Sequence, residues 1–414
     1  MSSLSPIHVY FTTELFLPDL PGGLMRLWRY GPGLQARGIQ MHIVTVRHKP
    51  ELALREQIEG FDVHRFDLPE GAGADYRRIW LLKQAYALAR DQSGSVLQPN
   101  MLVHTLAPTL WSARTRGIGT VFNVSIAPES PMPTALLARS RQKLRMAWMC
   151  SPLDRIVFLG HELKRVYQQR WPMRSKQVQV IPNGVDLDRF RPVADSEEKL
   201  RLRDAMGLPQ NVPVALFVSG VMPRKGLDVV LRSWERVLQW HPDAVLAVVG
   251  SRGIRASHAS SHLGITDALQ SHLDEVAELQ SRLTRPDSIR FLGEMEDPAQ
   301  AYRCADVFVF PSRREGLPNV VLEAMASGLP CLVARFEGMP ADGEAFGHSG
   351  VHFRSMSHEP DEWAAALIEW LGAGPQTRQK IGDAARVWIE QTNNLSTVLD
   401  DWAQLYRSVA SPSS

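Results

Sequence analysis

Cysteine is scarce in this sequence: 414 residues hold only Cys150, Cys304 and Cys331. The number is odd and no two are spaced like a metal knuckle. That excludes a disulfide scaffold and a zinc finger, and fits reduced thiols in a cytosolic chain. Excess charge is lacking too. Lys and Arg total 46 against 44 Asp and Glu, a formal net of +2. A nucleic-acid binder draws its affinity from many phosphate contacts, so no nucleic-acid partner is expected. No apolar run is long enough to span a bilayer. Met1 to Pro6 has neither a basic n-region nor an apolar h-region. A cytoplasmic chain is therefore expected, with any membrane contact peripheral.

What is present is ordinary globular material, 44% apolar and 22% charged. At roughly 100–200 residues per domain, the length predicts two domains or three. Ile7–Phe11 reads as a strand, Pro18 to Gly23 as a loop, and Leu24–Gln35 as a helix that Pro32 should kink or shorten. Gly38 ends that helix and Met41–Val46 is the next strand. Strand, Gly-rich loop, helix, strand opens a doubly wound α/β domain. Met101–His104, Val121–Asn123, Arg155–Leu159 and Gln177–Ile181 continue the series as strands.

From about Asp195 to Gln210 the chain turns charged and reads as a linker. A second series follows, with strands at Pro213–Ser219, Ala244–Gly250, Ile289–Leu292, Val307–Pro311 and Cys331–Ala334. Helices are expected at Leu227–Trp240, Glu278–Arg285, Pro298–Cys304 and Asn319–Ser327. Arg252–Ala277 reads as a polar surface insertion, helical in its second half. Two such series predict two Rossmann-like domains, with ligands at the carboxyl ends of the strands in a crevice between them.

The sharpest chemistry lies in Ala305–Pro330, where a buried strand runs into a tight loop and then a helix. Pro318 suits a first helical turn, where a missing N–H is harmless. The amides of the Gly316–Val320 stretch then stand at a positive helix end, a ready anion site. Glu315 is at the loop mouth and Glu323 further into the helix, where a carboxylate accepts hydrogen bonds from a diol. The plainer alternative makes Glu315 a helix-dipole carboxylate and Glu323 a solvated residue. Two carboxylates flanking one such helix start weigh against it.

The Glu-x7-Glu pattern in PSRREGLPNVVLEAMASGLP resembles the donor signature of retaining GT-B glycosyltransferases, specifically glycosyltransferase family 4. VIPNGVDLDRFRP (180–192), LFVSGVMPRKGLDVVLRSWERV (216–237) and IRFLGEMED (289–297) are similar to that family's other segments. The resemblance implies a metal-independent hexosyltransferase of α/β GT-B fold, two Rossmann-like domains facing across a deep cleft. It assigns 1–195 to acceptor binding, 196–392 to the nucleotide sugar, and 393–414 to a helix crossing back. Glu315 would contact the donor sugar, and Gly316 to Val320, through Leu317, Pro318 and Asn319, would hold the diphosphate. Glu323 would bind the ribose. Lys225 with Arg224 would neutralise the leaving group. Gly293 and Glu294 would read the base, and Gly22 and Gly23 would let backbone approach the donor. The nucleotide sugar is a substrate; no cofactor and no metal are implied.

Two positions depart from the family pattern. Gly220 stands where many members carry Arg, and Asn123 where many carry His; His104 is the candidate to substitute for the latter by place. Asp186-Leu187-Asp188 has a metal-binding spelling but lies in a turn. Asn123-Val124-Ser125 spells a glycosylation site that a cytosolic chain would not use. Arg139–Lys176 holds ten Lys and Arg against Asp154 and Glu162. It reads either as a solvated face or as a contact for anionic membrane. The reading is a transferase taking a sugar, UDP-sugar favoured, to a glycan or lipid-linked acceptor. Its rivals are a sucrose-type synthase, a nucleotide-sugar 2-epimerase and a non-catalytic subunit.

Overall fold

The computed structural model describes residues 6–19, 24–68, 71–126, 134–252, 267–295 and 297–410. The chain forms two compact units, one of residues up to Asn183 with those from Ser396, the other of Gly184–Leu395.

Short apolar runs build the first sheet. Its strands are β1 (Ile7–Thr12), β2 (Ile39–Val46), β3 (Arg55–Ile58), β4 (Phe61–Phe66), β5 (Ser95–Pro99), β6 (Gly119–Val124), β7 (Arg155–Phe158) and β8 (Val178–Val180). They lie in the order β3-β4-β2-β1-β5-β6-β7-β8. Only the β3–β4 pair is antiparallel. Its turn is Glu59-Gly60, with φ of 45° and 86°, the two positive angles that a tight hairpin turn needs. Helices α1 (Met25–Gln35), α2 (Ala74–Ala89), α3 (Ala107–Arg114), α4 (Leu136–Cys150) and α5 (His161–Gln168) connect the strands. α1 continues through Pro32 to its expected end.

Three histidines stand side by side on neighbouring strands of this sheet. His8 Nδ1 and His42 Nε2 are 2.9 Å apart, and His42 Nδ1 and His64 Nε2 3.4 Å. Each contact needs one ring nitrogen to donate and the other to accept. Burial lowers all three pKa values, and that of His42 falls to about 4.

The second sheet is wholly parallel, with strands β9 (Val214–Val218), β10 (Val245–Val249), β11 (Ile289–Gly293), β12 (Val307–Phe310), β13 (Cys331–Ala334) and β14 (Arg354–Met356). Their order is β11-β10-β9-β12-β13-β14. Helices α6 (Ser196–Ala205), α7 (Leu227–Trp240), α8 (Asp267–Ser281), α9 (Ala299–Cys304), α10 (Asn319–Ala326), α11 (Pro360–Gly372) and α12 (Pro375–Thr392) surround it. β9, β10, β12 and β13 are buried throughout, as parallel strands covered on both faces must be. The last helix, α13 (Leu395–Ala410), packs in the first unit: Tyr406 donates to Gln98 Oε1 at 2.6 Å, and Arg37 meets Asp400 at 2.7 Å.

Four expectations change. The strand placed at Met101–His104 is instead Ser95–Pro99, which is fully buried between β1 and β6. Proline at its last position cannot donate onward, and His104–Leu106 forms a single 3₁₀ turn leading into α3. The supposed linker contains α6, capped by Asp195, whose carboxylate accepts from the Glu198 amide at 2.7 Å. Two charges of α6 face inward: Lys199 and Arg203 reach the buried Asp306 at 2.7 and 2.8 Å. The units consequently divide at Asn183/Gly184 rather than at 195, because residues from Val185 on bond within the second unit. The helix expected at Glu278–Arg285 is α8, which ends at Ser281. Residues 253–266 of the predicted insertion lie outside the described residues.

Candidate active site

In each sheet the chain reverses its direction of winding beside one strand, β1 in the first and β9 in the second. Ligands of open α/β sheets bind outside the carboxyl ends of strands at such points.

The second unit gathers most of the expected site there. After β9, Pro223–Lys225 forms a 3₁₀ turn closed by Gly226 at φ 74°. A Cβ at Gly226 would lie 2.1 Å from the Pro311 carbonyl oxygen, so only glycine lets this turn rest on the loop after β12. A backbone bond fixes the two loops: the Arg313 amide donates to the Arg224 carbonyl at 2.8 Å, and Ser312 Oγ lies 3.1 Å from the same oxygen. Arg313 also pairs with Asp228 of α7 at 2.8 Å.

This docking brings three donors to one carboxylate oxygen. Glu315 Oε1 accepts from Lys225 Nζ at 2.6 Å, Arg224 Nη1 at 2.7 Å and Ser312 Oγ at 2.8 Å. Burial lowers the pKa of Lys225, with Glu315 opposing and Arg224 adding to the shift. Two cations against one carboxylate leave the cluster net positive beside the start of α10. That start has Pro318 as its cap residue and no side-chain cap, with Gly316 and Leu317 before it and Asn319 and Val320 in the first turn. Asn319 Oδ1 is buried without a partner.

Glu323 is 2% exposed, and Tyr302 donates to its Oε2 at 2.9 Å. It is therefore not a solvated helix residue. Gly293, at φ 76°, and Glu294 lie exposed where β11 ends. Gly220 follows β9, its place secured by the bond from the Val221 amide to the Ser251 carbonyl at 2.9 Å. Gly22 and Gly23 lie outside the described residues.

In the first unit Asn123 is the penultimate residue of β6 and is buried. With its amide oxygen turned to Arg26, it accepts from Nη1 at 3.0 Å. His104 does not join it. It sits in the turn before α3, with Nδ1 at 2.6 Å from Arg145 Nη2 of α4. A small cavity of about 30 Å³ at the ends of β1, β5 and β6 is lined by Asn123 and not by His104.

Ser312, Tyr302 and Arg26 are absent from the sequence reading. Ser312 lies three residues before Glu315, within the same motif. Tyr302 and Arg26 reach their partners only through the fold. Asp186 is the turn residue expected, its Oδ1 accepting from the amides of Asp188 at 3.1 Å and Arg189 at 3.0 Å. Among the described residues no group of three or more His, Cys, Asp or Glu is arranged to hold a metal. No described helix is long and apolar enough to cross a membrane. The cysteines are buried and unpaired, and burial raises the thiol pKa of Cys304 to about 11 and of Cys150 to about 12.

Comparison with known proteins gives two family matches, "Glycosyl transferases group 1" over residues 198–388 and "Glycosyltransferase Family 4" over 22–189. The D-inositol 3-phosphate glycosyltransferase of Nocardiopsis dassonvillei is 31% identical over 339 residues, 80% of this chain and 70% of that protein. That of Streptomyces avermitilis is 30% identical over 386 residues, 90% and 72% of the two chains. Against the one from Catenulispora acidiphila the match spans 62% of its length, at 31% identity and 72% of this chain. Among solved structures, Anabaena HepE in complex with UDP superimposes with a TM-score of 0.73 at 16% identity, covering 97% of this chain and 100% of that one. Sucrose-phosphate synthase from Thermosynechococcus elongatus gives 0.72 at 20%, covering 97% and 99%. Fold, motif order and sequence agree: this chain is a GT-B glycosyltransferase and belongs to the glycosyl transferases group 1, with a family 4 N-terminal half.

Proposed function

We propose that the protein is a retaining, metal-independent glycosyltransferase using a UDP-sugar, with its donor site in the second unit. The convergence of Lys225, Arg224 and Ser312 on Glu315 Oε1 carries this reading. A nucleoside diphosphate leaving group develops charge as the glycosidic bond breaks. Two fixed cations beside a helix start stabilise it without a metal ion. Arrival of the diphosphate gives Lys225 and Arg224 a second anion and frees Glu315 to accept from sugar hydroxyls. Leu317, Asn319 and Val320 supply backbone donors, Glu323 holds the ribose, and Gly293 with Glu294 border the base. The acceptor hydroxyl then attacks from the face the diphosphate leaves, and the departing phosphate takes its proton.

The first unit is the acceptor side in this reading. Two observations bear on the acceptor. The relatives' names specify a phosphorylated polyol, D-inositol 3-phosphate. Helix α4 favours contact with an anionic lipid surface and thus a lipid-linked acceptor. Leu136, Leu137, Leu144 and Trp148 are 85%, 66%, 71% and 50% exposed. Leu137, Leu144 and Trp148 share one stripe at 3.6 residues per turn. The helix adds Arg139, Arg141, Lys143 and Arg145 and contains no acid, the composition of an interfacial helix.

A donor screen tests the reading. UDP-, GDP- and ADP-sugars are incubated with the protein with and without EDTA, and nucleotide release and thermal shift are followed. Selective, EDTA-insensitive stabilisation by UDP-sugars, weakened in Glu323→Ala and Lys225→Ala, is the expected result. A requirement for divalent metal, or indifference to every nucleotide, would sink it.

A further inference from the structure

The small cavity beside Asn123 in the first unit contains a cation that the catalytic reading does not use. Arg26, on the first turn of α1, is partly exposed and otherwise surrounded by protein. Its hydrogen-bond partners are amides: Asn123, and Asn183 Oδ1 at 3.4 Å. Its guanidinium lies 5.8 Å from the ring centre of Trp402 on α13. Among the described residues no carboxylate pairs with it. Burial lowers its pKa, and only the phenols of Tyr30 and Tyr406 oppose the shift. Charge is costly to bury without a counter-charge, and other arginines of the unit have one: the buried Arg65 meets Glu56 and the half-buried Arg77 meets Glu14.

A second, independent feature points the same way. The indole Nε1–H of Trp402, which lines the same cavity, is buried with no acceptor. A cation without an anion and a donor without an acceptor share one small pocket. The pocket sits at the strand-end switch point of its sheet. Its remaining polar lining, which includes Asn100, Asn123, Ser125 and Gln98, is neutral and suited to hydroxyls.

We infer that this pocket is an anion site for the acceptor, in which Arg26 and Trp402 donate to a phosphate group attached to a polyol. The inference rests on the reading of the first unit as the acceptor side. It makes Arg26 the residue that selects phosphorylated over neutral acceptors, because a guanidinium binds phosphate oxygens with charge-assisted bonds that a hydroxyl cannot match. The phosphate belongs either to a free polyol phosphate or to a lipid headgroup, and the chemistry of recognition is the same.

Calorimetric titration separates the outcomes. The intact protein and its Arg26→Gln, Arg26→Lys and Trp402→Phe variants are titrated with D-inositol 3-phosphate and with inositol. Vesicles of phosphatidylcholine with and without phosphatidylinositol form a further arm, and UDP is the control. The expected result is a preference of about tenfold or more for the phosphorylated probe, soluble or in vesicles, over its neutral counterpart. Arg26→Gln should erase that preference, Arg26→Lys keep part of it, and Trp402→Phe weaken it a few-fold, all with UDP affinity unchanged. The arm that binds names the source of the phosphate. Equal binding of neutral and phosphorylated probes would overturn the inference, as would binding of neither probe while UDP still binds. An equal loss of both probes in Arg26→Gln would mark a merely structural residue. A matching loss of UDP would assign the guanidinium to the donor. Failure of the unaltered protein to bind UDP would instead count against the donor site.

Discussion

Lys225 Nζ lies 2.6 Å from Glu315 Oε1, with side chains 15% and 11% exposed, and Arg224 holds the same oxygen at 2.7 Å. The pair is buried enough for its charges to matter and open enough for an anion to compete. Replacing Lys225 by Met should lower turnover by about 10²–10³-fold, the scale of losing one transition-state electrostatic partner. Glu315→Gln should lower turnover comparably, and the double variant should lose far less than the product of the two effects, since the partners act as a unit. Steady-state kinetics of the four proteins checks this; independent, multiplicative losses would contradict the coupling.

The lowered pKa of Lys225 sets an alkaline limit. Burial disfavours the ammonium, so the proton leaves below the ordinary lysine value of 10.5. If Lys225 must be charged, kcat should fall on the alkaline side before free lysine titrates, and Lys225→Arg should push that limb upward. An unmoved limb in Lys225→Arg would assign the titration elsewhere.

His42 makes the first unit acid-sensitive. Its pKa falls from 6.5 to about 4, mainly through burial. Between those values the unfolded chain binds a proton that the folded one refuses. Stability is therefore whole above about pH 6.5 and declines as the pH drops toward 4, by about 3 kcal/mol if His42 acted alone. Denaturant titrations at pH 7.5, 6 and 5 should show this loss, and His42→Gln should flatten it.

Asp306 offers a stability test remote from the site. It is 8% exposed and faces Lys199, Arg203 and, at 3.7 Å, Arg378. Asp306→Asn strands these cations and should destabilise the second unit by about 3–5 kcal/mol. A melting temperature within a degree of the original would show that the network matters little.

The same network shows why parts of the fold were hidden in the sequence. α7 is legible to the residue, because its apolar periodicity faces a buried sheet. Asp195–Gln210 was not: its charges look solvated until Asp306, about a hundred residues on, supplies their partner. β5 was displaced because Ser95-Val96-Leu97-Gln98-Pro99 lacks alternation and contains polar residues, buried by the neighbouring strands. At the site, Glu315, Lys225 and Glu323 were readable because they belong to contiguous loop and helix motifs. Arg26 and Trp402 lie in the sequence more than 370 residues apart, and no local pattern announces that they meet.

That separation has a consequence for how the molecule is made. The first unit is discontinuous: Leu399 fills the space left by Gly33, Val409 abuts Gly119, and Tyr406 holds Gln98. On the ribosome, residues 1–183 emerge first yet lack this last wall until α13 has been translated. The second unit, unbroken from 184 to 395, closes without that helix. A chain truncated after residue 395 should therefore hold a protease-resistant second unit and a cleavable first one.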